Sequence, residues 1–208
     1  PDQIRVLVIG EDAADTYYIE KGLSAALGQG EEILVQRSEP SGLSQNLLVN
    51  VDVVVMCNVS RMSRGQINLV QQRIKQGTGL LITLGERIDM RHYNSVLLPA
   101  LLPTKLVSVV GNPGQNTTYH SFEQPLPPHP ILQSLRPQKA FESQKAFESP
   151  RFFAYFRVQS PESLGTVVAF KNGSAAILEF VLGDGRVLML SSSLEQDLSW
   201  TDLPVTGF

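Results

Sequence analysis

Cysteine occurs once in these 208 residues, at Cys57, so no internal disulfide can form. A reducing compartment fits that usage, and so do many extracytoplasmic bacterial domains that lack disulfides. Tryptophan also occurs once, and the three histidines, His92, His120 and His129, show no metal-ligand spacing. No apolar run approaches the roughly eighteen residues of a membrane-spanning helix, and no secretory signal is recognisable. Charge is sparse and nearly balanced, 17 Lys and Arg against 20 Asp and Glu, for a net −3. That balance leaves no general electrostatic footprint for nucleic acid or anionic lipid, so no nucleic-acid partner is expected. Neither G-x-G-x-x-G nor G-x-x-x-x-G-K-[ST] occurs, so there is no phosphate cradle and no cofactor or metal is expected.

What is present is an α/β grammar. "IRVLVIG" (4–10) is a near-continuous apolar run closed by glycine, the pattern of a parallel strand covered on both faces. Ile19, Leu23, Ala26 and Leu27 then follow helical spacing, with Gly28 as a stop. "EILVQR" (32–37) and the valine-rich "VDVVVMCN" (51–58) read as the second and third strands. Ser63 and Gln66 make an S-x-x-Q capping box. Ile67, Val70 and Ile74 line one face of the helix it starts, and Gly77 ends it. "GLLITLG" (79–85) is the fourth strand.

This alternation predicts an α/β fold with a doubly wound, mostly parallel flavodoxin-like sheet and an antiparallel β segment appended in the second half. One domain over 1–208 is expected, with a parallel core over 1–98 and an irregular, β-rich extension over 99–185. A final core strand and terminal turn occupy 186–208. Within the extension "KLVSVV" (105–110) and "TTYHSF" (117–122) read as short strands. Asn172-Gly173 and Gly183-Asp184-Gly185 mark reversals. "QKAFESQKAFES" (138–149) is an immediate six-residue repeat; six residues turn a helix by about 600°, so Phe141 and Phe147 do not share a face. It reads as a duplication in a tolerant loop.

Ligands of open parallel sheets gather beyond the carboxyl ends of the strands. That rule selects Gly10-Glu11-Asp12, Cys57-Asn58, Gly85-Glu86-Arg87 and Ser191-Ser192-Ser193. Glu11 and Asp12 resemble the Mg²⁺-binding acids of a receiver domain, but the third strand closes on Cys57-Asn58 where a phosphoacceptor Asp is required. Their expected role is to favour the positive end of the following helix. Cys57 is a weak candidate nucleophile, because no base stands at a recognisable spacing to it. Glu195, Asp197 and Asp202, around Trp200, read either as a polar site at the sheet's crest or as caps on a last helical turn.

Longer stretches carry a resemblance. "VDVVVMCNVSRMSRGQINLVQQRIKQGTGLLITLGERIDMRHYN", "HPIL", "RFFAYFRV" and "GDGRVLMLSSSLEQDLSWTDLPV" resemble the class I glutamine-amidotransferase-like domain of bacterial membrane proteins related to the Bat aerotolerance and von Willebrand A family. The likeness spans roughly 50–206, and "HPI" at 129–131 also resembles the related ThuA-like domains. Amidotransferases of this class carry cysteine in a G-x-C-x-G elbow after the fourth strand, with His and Glu from near the chain's end. Here the elbow reads Ile82-Thr83-Leu84-Gly85-Glu86, and no histidine follows His129.

The resemblance therefore implies a vacant nucleophile elbow at Leu84-Gly85 and a non-catalytic interaction or ligand-sensing domain, more in keeping with a binding module than an enzyme. Its ligand or partner surface would be a crest of Glu11, Asp12, Asn58, Glu86, Arg87, Asp89, Asp197, Trp200 and Asp202. The implied partners are other envelope proteins or a small ligand. The implied setting is a soluble domain of a membrane-anchored parent, on the extracytoplasmic side of the inner membrane, with membrane contact only through segments outside this chain. Two alternatives stand beside it. One is a hydrolase or transferase with a non-standard site at Cys57. The other is ThuA-like carbohydrate binding on Tyr93, Tyr119 and Trp200 as stacking platforms.

Overall fold

The computed structural model describes residues 3–26, 32–115, 117–135, 149–159, 164–195 and 200–202. Leu27, Gly28, Asp197 and all of the six-residue repeat except Ser149 lie outside the described residues. The first half alternates as its apolar pattern demands: β1 (Gln3–Gly10), α1 (Ala13–Ala26), β2 (Glu32–Ser38), β3 (Val53–Cys57), α2 (Arg64–Lys75) and β4 (Gly79–Thr83). The second half holds α3 (Met90–His92), α4 (Leu98–Leu101) and β5 (Lys105–Gly111). It continues with β6 (Arg151–Phe152), β7 (Ala154–Gln159), β8 (Gly165–Ala169), β9 (Ala175–Leu182), β10 (Gly185–Leu190) and β11 (Thr201–Asp202).

The fold is mixed α/β, with a seven-stranded central sheet in the order β2-β1-β3-β4-β10-β9-β8 and two separate two-stranded sheets, β11-β6 and β5-β7. Pairing is parallel from β2 through β10 and antiparallel for β10-β9 and β9-β8. The second half thus completes the sheet begun by the first. Successive side chains of a strand face opposite ways, and here each face has its own cover. Val6, Val8, Val55 and Cys57 pack with Ile19 and Leu23 of α1. Leu7, Ile9, Val54, Met56 and Ile82 pack with Ile67, Val70 and Ile74 of α2.

The α2 start is the capping box expected at Ser63. The Gln66 backbone N–H donates to Ser63 Oγ at 3.2 Å and the Ser63 N–H donates to Gln66 Oε1 at 2.9 Å. Such a cap contributes about 1 kcal/mol. Gly77 (φ 109°), Gly173 (φ 81°) and Gly183 (φ 65°) take the positive φ that the helix end and hairpin turns require.

Two expectations need correction. "TTYHSF" is not a strand: among the described residues its β-pairing is limited to the single bridges His120–Phe152 and Phe122–Phe170. Each bridge reaches a different partner, so no ladder forms. The run "RFFAYFRV" is divided between two strands. The chain changes partners at Phe153, whose N–H donates to Trp200 O at 2.8 Å, so β6 pairs with β11 and β7 with β5. Thr201 and Asp202 form a strand, so Asp202 caps no helix. An aromatic cluster of Phe122, Phe152, Tyr155 and Phe170 holds this region, with ring centroids 4.2–5.1 Å apart for the three tightest pairs. Each such pair contributes about 0.5–1.5 kcal/mol beyond its buried area.

Residues 90–101 carry helix that the periodicity does not announce. Asp89 caps α3, a π-helical turn at Tyr93–Leu97 follows, and α4 begins at Leu98 with Pro99 in its first turn. Among the described residues no helix is long and apolar enough to cross a membrane.

Candidate functional site

The carboxyl ends of β1, β3 and β4 meet around one guanidinium. After β1, Asp12 caps α1: its Oδ1 accepts from the N–H groups of Ala14 (2.9 Å) and Asp15 (3.1 Å). In return the Asp12 N–H donates to Asp15 Oδ2 at 3.1 Å, so the two acids form a reciprocal box. The helix-favouring role expected of this acidic turn is therefore present at Asp12. Asp15 is the residue that sequence reasoning passed over. Its side chain is only 2% exposed, and burial raises its pKa against the opposing hydrogen bonds from Asn58 and Asp12 and the charge of Arg87.

Asn58 follows β3 in the left-handed region (φ 48°) and is buried. Asparagine tolerates that conformation better than other non-glycine residues. Its N–H donates to Thr83 O at 3.0 Å, which ties the end of β3 to β4. Its amide joins the two loops: Nδ2 donates to Asp15 Oδ1 at 3.0 Å and Oδ1 accepts from the Arg87 N–H at 3.1 Å. The Arg87 side chain then pairs with Asp12, with Asp15 (Nε, 3.5 Å) and with Glu11 (Nη1, 4.0 Å). Partial burial opposes the charge on Arg87, but Asp15, Asp12 and Glu11 outweigh it and raise its pKa.

The residues of the elbow have different surroundings. Leu84 is wholly buried in the α2-side core, and its N–H is shared between Leu190 O (3.3 Å) and Ser192 O (3.0 Å). A side chain at Gly85 would place Cβ 2.1 Å from Glu195 Oε1 and 2.6 Å from Asn58 Oδ1. Glu86 and Arg87 are exposed beyond that turn. Cys57 is fully buried, and burial pushes its thiol up to about 12, so no thiolate is present at neutral pH.

The other sequence candidates separate. Asp89 caps α3 through the N–H groups of Arg91 (3.0 Å) and His92 (3.1 Å) and accepts from Arg61 Nε at 2.7 Å. The His92 backbone bond and the Arg61 contact lower its pKa. Asp202 pairs with Arg151 at 3.8 Å, in the β6-β11 ladder. Trp200 is 3% exposed and stacks on Phe156 at 5.3 Å, so it offers no surface at the crest. Tyr93 is buried too, its hydroxyl donating to Val59 O at 2.7 Å, and of the three proposed stacking platforms only Tyr119 is open. His92, His120 and His129 sit in three different environments, against Met62, Tyr155 and Glu179. Among the described residues no group of three or more His, Cys, Asp or Glu is placed to hold a metal ion.

An open cleft of about 440 Å³ lies beside this cluster, lined by Glu11, Glu39, Pro40, Ser41, Arg61 and Gln66. These residues follow β1, β2 and β3, where the chain passes from one side of β1 to the other, and such reversals are where open α/β sheets bind ligands. Glu11 was legible from its place after β1. Glu39, Ser41 and Arg61 were not, because nothing local distinguishes them from other loop residues, and Gln66 was legible only as a helix cap.

No known protein family's sequence profile matches the chain, and no curated protein matches it. Solved structures do. Cytoplasmic protein STM3548 from Salmonella typhimurium is similar over 95% of this chain and 93% of its own, with a TM-score of 0.67 at 17% identity. Cytoplasmic protein STM1381 from Salmonella typhimurium LT2 is similar over 91% and 88%, with a TM-score of 0.64 at 16% identity. A β-galactosidase from Bacillus circulans sp. alkalophilus is similar over 94% of this chain but only 29% of its own, with a TM-score of 0.60 at 12% identity. At such identities the likeness is one of fold alone.

Proposed function

We propose that the chain is a non-catalytic interaction or ligand-sensing domain on a doubly wound, flavodoxin-like scaffold of the class I glutamine-amidotransferase type. Its working surface is the crest above β1–β4. The observation that carries this reading is the engagement of Glu11, Asp12 and Asp15 by Arg87, which commits these three acids to a structural tie. A general base needs a carboxylate free to take a proton, and a nucleophile needs an activated, accessible atom. Leu84 in the core and the unionised thiol of Cys57 supply neither.

The flavodoxin-like assignment is supported by the order β2-β1-β3-β4-β10, which follows the 2-1-3-4-5 winding of that class, and by helices on opposite faces. The resemblance to the aerotolerance-related family extends the proposal to a membrane-anchored envelope protein as the parent, with envelope proteins or a small molecule as partners. That extension rests on likeness of sequence, and fold alone does not assign it. The test is an assay of ammonia release from glutamine and of p-nitrophenyl ester hydrolysis between pH 5 and 9. The expected result is no turnover above the uncatalysed rate. Turnover that disappears in Cys57→Ser or Glu11→Gln would overturn the reading.

A further inference from the structure

Among the described residues the central sheet ends on two free edges, and they differ. β8 is interrupted by register shifts between Thr166 and Val168 and between Val168 and Ala169. β2 is unbroken, in register with β1 from Gln3↔Glu32 to Ile9↔Ser38. Its sequence, "EILVQRS", holds no proline, glycine or lysine. Bulges, proline and lysine are what keep sheet edges from pairing with other chains, so β8 is blunted and β2 is not. The charges of β2, Glu32 and Arg37, stand near its two ends and leave Ile33, Leu34 and Val35 between them. Val35, on the α1 face with Val6, is 39% exposed, and Leu34, on the opposite face, is 44% exposed.

The main chain shows which groups of β2 are unpaired. Arg5 turns toward the start of β3: its N–H donates to Asp52 Oδ2 at 2.8 Å and its carbonyl accepts from the Asp52 N–H at 2.9 Å. Main-chain groups alternate in direction along a strand, so Ile4, Val6 and Val8 turn toward β2. Val6 stands opposite Val35 and bonds to the residues on either side of it, Leu34 and Gln36. Ile33, Val35 and Arg37 therefore hold their N–H and C=O groups away from the sheet, and no described strand takes them.

We infer that this edge pairs with a second copy of the chain, β2 against β2 antiparallel, about a twofold axis through Val35. Centred there, the two Val35 residues exchange their main-chain bonds, and Ile33 of each copy exchanges its own with Arg37 of the other. All the outward residues are then used. An axis normal to the sheet keeps each side chain on its own face, so Val35 packs on Val35 and Leu34 lies diagonal to Leu34. Charge sets the direction. An antiparallel neighbour brings Glu32 beside Arg37 at both ends, whereas a parallel one would set like charges together. Because β8 is bulged, the pairing closes as a dimer and does not extend into a fibre. The edge spans about 23 Å at about 3.3 Å per residue, small beside a standard interface, so the dimer is weak and concentration-dependent. None of this depends on the crest, which lies at the strand ends.

The test is sedimentation velocity of the whole chain over a concentration series, with variants at the axis. The expected result is a reversible monomer–dimer equilibrium with no larger species. Val35→Pro removes an outward N–H without touching a bond to β1, and proline is tolerated on such an edge. It is expected to weaken the dimer about thirtyfold or more, the loss of two main-chain hydrogen bonds. Val35→Lys sets two ammonium groups against each other with the backbone unaltered, for an expected loss of about tenfold. Oxidation reads the direction. Val35→Cys is expected to cross-link two copies, since residues so paired lie about 5.5 Å apart at Cα. Glu32→Cys is not, because its counterpart lies at the far end of the ladder; Cys57 is buried and takes no part. A chain that stays monomeric at every concentration overturns the inference, as does open-ended association. So does a dimer that Val35→Lys or a folded Val35→Pro leaves unchanged, or one that Glu32→Cys cross-links as readily as Val35→Cys.

Discussion

Replacing Asn58 tests the crest most directly, because one buried side chain there satisfies two loops while its backbone sits at φ 48°. Asn58→Ala removes the hydrogen bond to the Asp15 carboxyl, worth about 1.5–3 kcal/mol where that group is charged, and strands the Arg87 N–H at about 1 kcal/mol more. Alanine also pays about 1–2 kcal/mol in the left-handed region. With partial relaxation the total is about 4 kcal/mol, or about 8–16 °C in Tm for a chain of this length. Asn58→Gly loses the same two bonds without the backbone strain but orders a more flexible residue, so it should be about 1 kcal/mol less damaging. The pH dependence has a definite sign. Burial raises the pKa of Asp15, so the native state holds that proton more tightly than the unfolded chain does, and ionising it costs stability as pH rises. Without the Asn58 bond that cost grows, so the Asn58→Ala deficit should be larger at pH 7 than near pH 4. Urea unfolding of the three proteins at both pH values measures all of this. Equal damage from alanine and glycine, or an alanine cost below about 1 kcal/mol, would refute the described geometry.

Other outcomes follow from the same structure. The Cys57 thiol, pushed up to about 12, should resist alkylation by iodoacetamide in the native protein at pH 8 and react on unfolding in urea; native labelling at the rate of a free thiol would contradict its burial. Burial opposes ionisation of Glu179, but hydrogen bonds from Arg186 and His129 outweigh it and hold its carboxyl below the ordinary value. Its contribution to stability is present above the unfolded carboxyl's pKa and is lost as pH falls through the native value. Glu179→Gln should accordingly destabilise at pH 7 by about 1 kcal/mol, on the scale of one partly exposed pair. The difference from the parent should close below about pH 4, the ordinary carboxyl range. A gap that widens on acidification would reverse the sign.

What could be read from the sequence divides by range. The valine run of β3 and the glycine closing β1 are local signals, since burial on both faces demands unbroken apolar residues. The Ser63–Gln66 box is equally local, three residues apart, and it stands as expected. Helix at 90–101 escaped because a π-helical turn breaks the 3.6-residue period and Pro99 argues against continuity. At the crest, the rule of strand ends found Glu11, Asp12, Asn58 and Arg87, which the fold gathers. Trp200 and Asp202, added to the crest from outside that rule, lie instead with β6 and β11. The rule says where a chain leaves the sheet and nothing about which way it then turns. Asp15 looked like one more residue of a helix, and its importance comes from Asn58 and Arg87, 43 and 72 positions away. Pairings of that separation have no signature in a single sequence.

The bare backbone at Gly85 has a practical consequence. Glu195 and Asn58 already fill the space a side chain there would need, so anyone wishing to turn this corner into a working hydrolase could not begin by grafting sulfur onto it. The carboxylate of Glu195 would first have to be moved aside. Conversion of this scaffold would start with demolition in the segment that follows β10, well before any reactive group was installed.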